Sequence, residues 1–148
     1  ANNQTRFSFG DEVFVTKLIY GKFPDYTRVI PPSFSQELVL NRVAFSQALQ
    51  RARILSNEKF SGVRLILENG ALRISAANAE QEEAQEEMEA SYNGERLDIG
   101  FNVIYLLDVL SHVSDETVVW RFNDSNSSAL FGPADSSNFK YVVMPMRI

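Results

Sequence analysis

Apolar and polar positions along this chain change their spacing several times, and each change marks an element. Residues 6–9 alternate, with Phe7 and Phe9 apolar beside Arg6 and Ser8. Residues 12–19 alternate less cleanly: Val13, Val15 and Ile19 share one side and Lys17 interrupts them. Gly10 and Asp11 separate the two runs as a turn, so the pair predicts a hairpin. The stretch GKFPDYTRVIPPS follows, and its two Gly/Pro clusters predict a connector with a domain boundary near 26–32. Residues 41–56, NRVAFSQALQRARILS, then take up helical spacing, with Asn41 as N-cap. Phe45, Ala48, Leu49, Ala52 and Leu55 share one face of that helix, and Ile54 falls outside it. Arg42, Ser46, Gln50, Arg53 and Asn57 form a different, polar-basic stripe without an acid. The alanines let the helix lie close to whatever it covers.

Strands dominate the remainder. Residues 62–68 and 71–77 flank Asn69 and Gly70, a strong hairpin signal, and Val63, Leu65, Leu67, Leu72, Ile74 and Ala76 face inward. Residues 83–92 alternate loosely, with Ala84, Met88, Ala90 and Tyr92 inward. Asn93 and Gly94 predict another turn, and 97–100 another short strand. A second helix starts at Asn102 and places Val103, Leu106, Leu107, Leu110 and Val113 at helical spacing. Val118, Trp120 and Phe122 point inward from a strand over 116–123, and 127–132 with 139–145 read as a closing pair. The order after the connector is thus helix, strands, helix, strands. Hairpin connections predict an antiparallel sheet with helices on one face, an α+β arrangement. A faint echo links Phe9, Gly10 and Pro24 to Phe131, Gly132 and Pro145, as if the hairpin closed one copy of a repeated domain and the last strands the next.

At 148 residues the chain is long enough for one domain with a real core. It has no cysteine, which excludes disulfides and thiolate metal sites and points to a reducing compartment. No apolar run approaches the roughly 20 residues of a membrane helix. The opening ANNQTRFSFGDEVFV lacks a starting Met and runs straight into alternation, which predicts a piece of a longer protein. The net charge of −5 argues against nucleic acid if taken as a sum, but the charges are segregated. Residues 80–95 hold seven glutamates and no base, while 42–53 hold Arg42, Arg51 and Arg53 and no acid.

Catalytic chemistry is thin. His112 is the single histidine, near the end of the second helix, where a solvated side chain or a helix-end charge accounts for it. No His pairs stand at metal-ligand spacing, and no Gly-rich loop offers a phosphate cradle. The glutamate run lacks the Asp/Asn/Gly loop of a calcium site. Ser125, Ser127 and Ser128 read as a polar turn rather than a nucleophile elbow. The chain closes on KYVVMPMRI, an apolar run with a proline between two methionines, where frayed polar residues are the usual finding. Such a run is either packed or waiting for a partner.

GKFPDYTRVIP, RARILSNEKFSGVRL, NAEQEEAQEEMEASYNG, IGFNVIYLLDVL and YVVMPMRI together resemble the bacterial DNA polymerase III beta subunit, the sliding-clamp family, in register over nearly the whole chain. The resemblance implies the DNA clamp fold, with antiparallel sheets outside and two helices packed on one face. It implies that 1–27 is the tail of the middle clamp domain and 28–148 the C-terminal domain. It implies a processivity factor without catalysis, metal or cofactor, in the cytoplasm and not at a membrane. Two full-length chains would close a ring on duplex DNA, held without sequence preference. Replicative and translesion polymerases, the clamp loader and mismatch-repair proteins would dock through short linear motifs.

For the site residues the same resemblance implies a peptide groove. Val142, Val143, Met144, Pro145 and Met146 would form one wall, Pro24, Arg28 and Val29 would come from the connector, and Asn102, Tyr105 and Ser128 would edge it. Methionine suits a groove with many partners, because its thioether repacks around different side chains. A plain core strand is the other reading of 141–146, and alternate residues there point opposite ways. Arg42, Gln50 and Arg53 either face DNA or form an ordinary solvated stripe. By matching position, Ile54 and Leu55 would centre a head-to-tail subunit contact, flanked by Glu80, Glu82, Glu83 and Glu86. Two other functions fit the residues: a small enzyme with an acidic metal site at 80–87, and a generic interaction domain with no DNA role.

Overall fold

The computed structural model describes residues 3–21, 25–56, 61–78, 80, 82–134 and 140–148. Its opening element is the hairpin β1 (Gln4–Phe9) and β2 (Glu12–Lys17), followed by a single 3-10 turn at Tyr26–Arg28. Two similar halves come next. The first is β3 (Gln36–Asn41), α1 (Arg42–Ile54), β4 (Gly62–Glu68), β5 (Ala71–Ala77) and β6 (Glu83–Glu89). The second is β7 (Leu97–Asn102), α2 (Val103–His112), β8 (Thr117–Phe122), β9 (Ala129–Gly132) and β10 (Tyr141–Val143). Each half is strand, helix, three strands. At each strand–helix joint an asparagine does the same work: Asn41 Oδ1 accepts from Ala44 N and Asn102 Oδ1 from Ile104 N, both at 2.9 Å.

The halves exchange their first strands. Two four-stranded antiparallel sheets result, in the orders β10-β9-β8-β3 and β6-β5-β4-β7. So β3 joins the second half's sheet and β7 the first half's, which locks the halves together. The pattern reading misses β3, because only Leu38 and Leu40 turn inward while Val39 stays half in solvent. It also takes one sheet where two form. Asn93 and Gly94 do not close a hairpin: β6 and β7 lie on opposite edges of their sheet, and β7 pairs with β4. Tyr92 buries its ring in that crossing and donates from its hydroxyl to Glu95 O at 2.6 Å. Between β4 and β5 the expected tight turn is present, with φ of 51° at Asn69 and 79° at Gly70, as a mirror-type hairpin turn requires.

α1 and α2 pack against each other, α1 also on β5 and β6 and α2 on β7 and β10. One apolar core runs beneath both. Its aromatic centre crosses from sheet to sheet: Phe101 of β7 meets Trp120 of β8 and Phe131 of β9 edge-on at 5.9 and 6.0 Å. Trp120 stacks on Phe131 at 5.6 Å. The outer face of the second sheet is ion-paired instead, with Arg73 on Glu87 and Arg64 on Asp98, each at 3.3 Å. The β1–β2 hairpin pairs with neither sheet. Its register groups Phe14 with Phe7 and Phe9 on one face and turns Val13 and Val15 to the other, and all five are exposed. Among the described residues no helix is long and apolar enough to cross a membrane.

Candidate peptide-docking cleft

A cleft of about 450 Å³ opens between α2 and β10. Tyr105, Asp108 and Val109 line it from the helix, at positions i, i+3 and i+4 that share one face. Lys140, the three β10 residues and Met144 line it from the strand. Val109 and Val143 are buried and form an apolar floor. Tyr105 and Met144 are each 61% exposed and stand free to meet a ligand. Ser128 reaches Met144 from β9's leading loop, its hydroxyl donating to Sδ at 3.0 Å. Asp108 and Lys140 bring opposite charges to the rim. His112, below the cleft, shares the Asp108 carbonyl (2.8 Å from Nδ1) with the Ser111 hydroxyl and lies 6.4 Å from the Tyr141 ring. It satisfies the helix end, as expected of a lone histidine there.

The other residues expected in a groove do not all join this cleft. Val142 and Val143 line the cleft, whereas Pro145 and Met146 follow beyond its lining. Asn102 does not line it either: its side-chain oxygen is engaged in capping α2. Arg28 and Val29 sit exposed at the 3-10 turn, whose N-cap is Asp25. Hydrogen bonds from Thr27 hold the Asp25 carboxyl below its ordinary value. Pro24 lies outside the described residues. The connector beyond is fastened by Asn123, which accepts from Ser35 N at 2.7 Å and donates to Ser33 O at 3.0 Å. The groove that the resemblance implies leaves out Asp108, Val109 and Lys140. The shared helix face with Tyr105 was the signal that could have found the first two.

On α1, Gln50 and Arg53 are exposed along one flank, and Arg42 is half-buried with Nε donating to Asp115 O at 2.8 Å. Ile54 is 80% exposed at the helix end, and Leu55 is half-buried. Beside them runs β6, an edge strand. Its Glu86 turns toward the helix layer and pairs with Arg51, at 2.7 and 2.8 Å. Glu82 accepts from the Asn78 side chain at 2.6 Å, and the Glu80 and Glu82 amides both donate to Asn78 Oδ1. Glu83 is exposed. Among the described residues no group of three or more His, Cys, Asp or Glu is placed to hold a metal ion.

A doubled strand–helix–three-strand domain with a cleft between its second helix and its last strand is the clamp type of α+β domain. The chain belongs to the DNA polymerase III beta subunit family: the family model of that subunit's C-terminal domain matches residues 27–147. It is 52% identical to the beta sliding clamp of Pseudomonas aeruginosa over 143 residues, which are 97% of this chain and 39% of that protein. It is 46% identical to that of Escherichia coli K12 over 147 residues, 99% of this chain and 40% of the relative. The crystal structure of the DNA polymerase III subunit beta from P. aeruginosa superimposes with a TM-score of 0.84 at 51% identity, covering 99% of this chain and 40% of that one. The chain therefore spans about two fifths of the length of these relatives.

Proposed function

We propose that this chain is the C-terminal part of a replicative processivity clamp, non-catalytic and cytoplasmic, and that the α2–β10 cleft is where other proteins dock. The observation that carries the reading is the pairing of exposed Tyr105 and Met144 across an apolar floor of Val109 and Val143. A site of that kind takes a short, mostly apolar peptide, with large side chains over the floor and polar groups at the rim. Such peptides would come from the tails of replicative and translesion polymerases, the clamp loader and mismatch-repair proteins. Residues 28–148 would be the last domain of the whole protein, and the unpaired β1–β2 hairpin would belong to the domain before it.

In the whole protein two chains would form a ring on duplex DNA. Arg42, Gln50 and Arg53 would attract phosphates without reading bases. Ile54 and Leu55 would centre the subunit contact, with Glu80, Glu82 and Glu83 guiding its orientation. Glu86 is engaged with Arg51 and would act there by bracing α1. The test of the docking reading is a titration of the full-length clamp with a peptide rich in Gln, Leu and Phe. Wild-type binding that Met144→Ala weakens supports it, and unchanged affinity removes the cleft assignment.

A further inference from the structure

β10 lies at the far edge of one sheet and β7 at an edge of the other. Three residues past β10 the chain has crossed between them, since Met146 forms a bridge to Gly100, its N–H donating to Gly100 O at 2.8 Å. Gly100 shows no positive φ, so conformation does not demand glycine there. Space does. A Cβ on Gly100 would run into the Met146 carbonyl oxygen and stand 2.8 Å from Ile148 Cδ1. Gly62 lies diagonally across the β4–β7 pair, and a Cβ there would be 3.1 Å from the same Ile148 atom and 3.7 Å from Met146 Sδ. The Ile148 side chain, itself 59% exposed, thus lies over the space that two absent side chains leave on the sheet's outer face. The two methionines differ in duty: Met146 is turned onto the sheet, while Met144 stands at the cleft.

We propose that Gly100, with Gly62 beside it, is a seat for residues 146–148, and that this seat holds Met144 in position at the cleft. Its consequence for binding rests on the docking reading above; its geometry does not. Gly100 is a positioning residue, and its effect should be graded. Alanine at Gly100 collides with backbone, which can give way only by lifting the whole segment, whereas alanine at Gly62 meets the end of a side chain that can turn aside.

The experiment compares Gly100→Ala, Gly62→Ala and Ile148→Gly in the full-length clamp. It measures exchange of the Met146 amide, the Met144 methyl resonance and affinity for the Gln/Leu/Phe peptide. Gly100→Ala is expected to speed Met146 exchange about tenfold or more, shift the Met144 methyl toward its solvated position and weaken the peptide about tenfold. Gly62→Ala should stay within about twofold on each. Ile148→Gly, which removes that side chain without touching the sheet, should loosen the segment and serves if Gly100→Ala fails to fold. A protected Met146 amide and an unmoved Met144 methyl in both Gly100→Ala and Ile148→Gly would overturn the seat. So would a freed segment with unchanged affinity. If wild type binds no peptide, the docking reading falls, and the amide and methyl signals still decide the seat. If Met144→Ala weakens binding while Gly100→Ala changes nothing, the seat falls alone.

Discussion

Arg51 and Glu86 tie α1 to the edge strand β6 by two hydrogen bonds at once, Nε to Oε1 at 2.7 Å and Nη2 to Oε2 at 2.8 Å. A forked pair of this kind fixes direction as well as distance. It fixes how the Ile54 end of α1 stands beside β6. The hydrogen bonds from Arg51 hold the Glu86 carboxyl below its ordinary value of 4.5 and raise Arg51 above its own. A depressed carboxyl favours the folded state above its unfolded pKa, and that contribution is lost as the pH falls through the native value. Glu86→Gln should therefore lower the Tm modestly near neutral pH, and the gap to wild type should close as the pH drops below 4.5. Thermal melts across that range check it, and a gap that persists in acid contradicts it. Salt should shrink the gap too, because both groups are partly exposed.

Tyr105 and Met144 should separate binding from stability. Both are 61% exposed, so truncating either should change folding free energy by no more than about 0.5 kcal/mol. Tyr105→Ala should nevertheless weaken the docking peptide about tenfold, roughly 1.4 kcal/mol, as expected of an aromatic anchor over an apolar floor. Calorimetric titration beside a urea melt gives both quantities.

The asparagines at the two strand–helix joints should behave alike. Asn41→Ala and Asn102→Ala each remove a cap and should cost about 1 kcal/mol in urea unfolding. Asn102→Asp keeps an oxygen for Ile104 N and should retain most of the stability. If Asn102→Asp also retains peptide affinity, the residue serves the cleft only by starting α2. A loss of affinity at full stability would give Asn102 a direct contact.

Arg42 and Arg53 are to be tested in the full-length protein. Reversing both to Glu should weaken duplex binding equally across sequences and lower the salt slope by roughly one for each phosphate no longer neutralised. Arg51→Glu is a useful contrast, because Arg51 faces Glu86 and should show its effect in stability instead. An unchanged slope in the double reversal would make the stripe an ordinary solvated face.

Much of this molecule is legible from residue spacing. The buried face of α1, with Phe45, Ala48, Leu49 and Ala52, follows from helical period. The inward sets on β4 and β5 follow from alternation, and the turn at Asn69 and Gly70 from its backbone chemistry. The candidate site came from the family resemblance rather than from spacing, and of its residues Tyr105, Val142, Val143 and Met144 line one cleft. Asp108, Val109 and Lys140 join it unannounced, and Arg28, Val29, Asn102, Ser128, Pro145 and Met146 lie off its lining. Those differences arise because a cleft is made between elements, while a spacing describes one element at a time.

Side-chain period and turn chemistry act over a few residues, so the sequence alone determined where the helices and every strand but β3 form, which faces they bury and where asparagine caps them. It could not determine neighbours. Backbone hydrogen bonds between strands are the same whichever strands meet, so the pairing of β3 with β8, of β7 with β4 and of Met146 with Gly100 was decided only when the whole core closed. That closure joined the two sheets around one aromatic centre. It also brought Arg51 to Glu86 and Met144 to Tyr105's side of the molecule, 35 and 39 positions away along the chain.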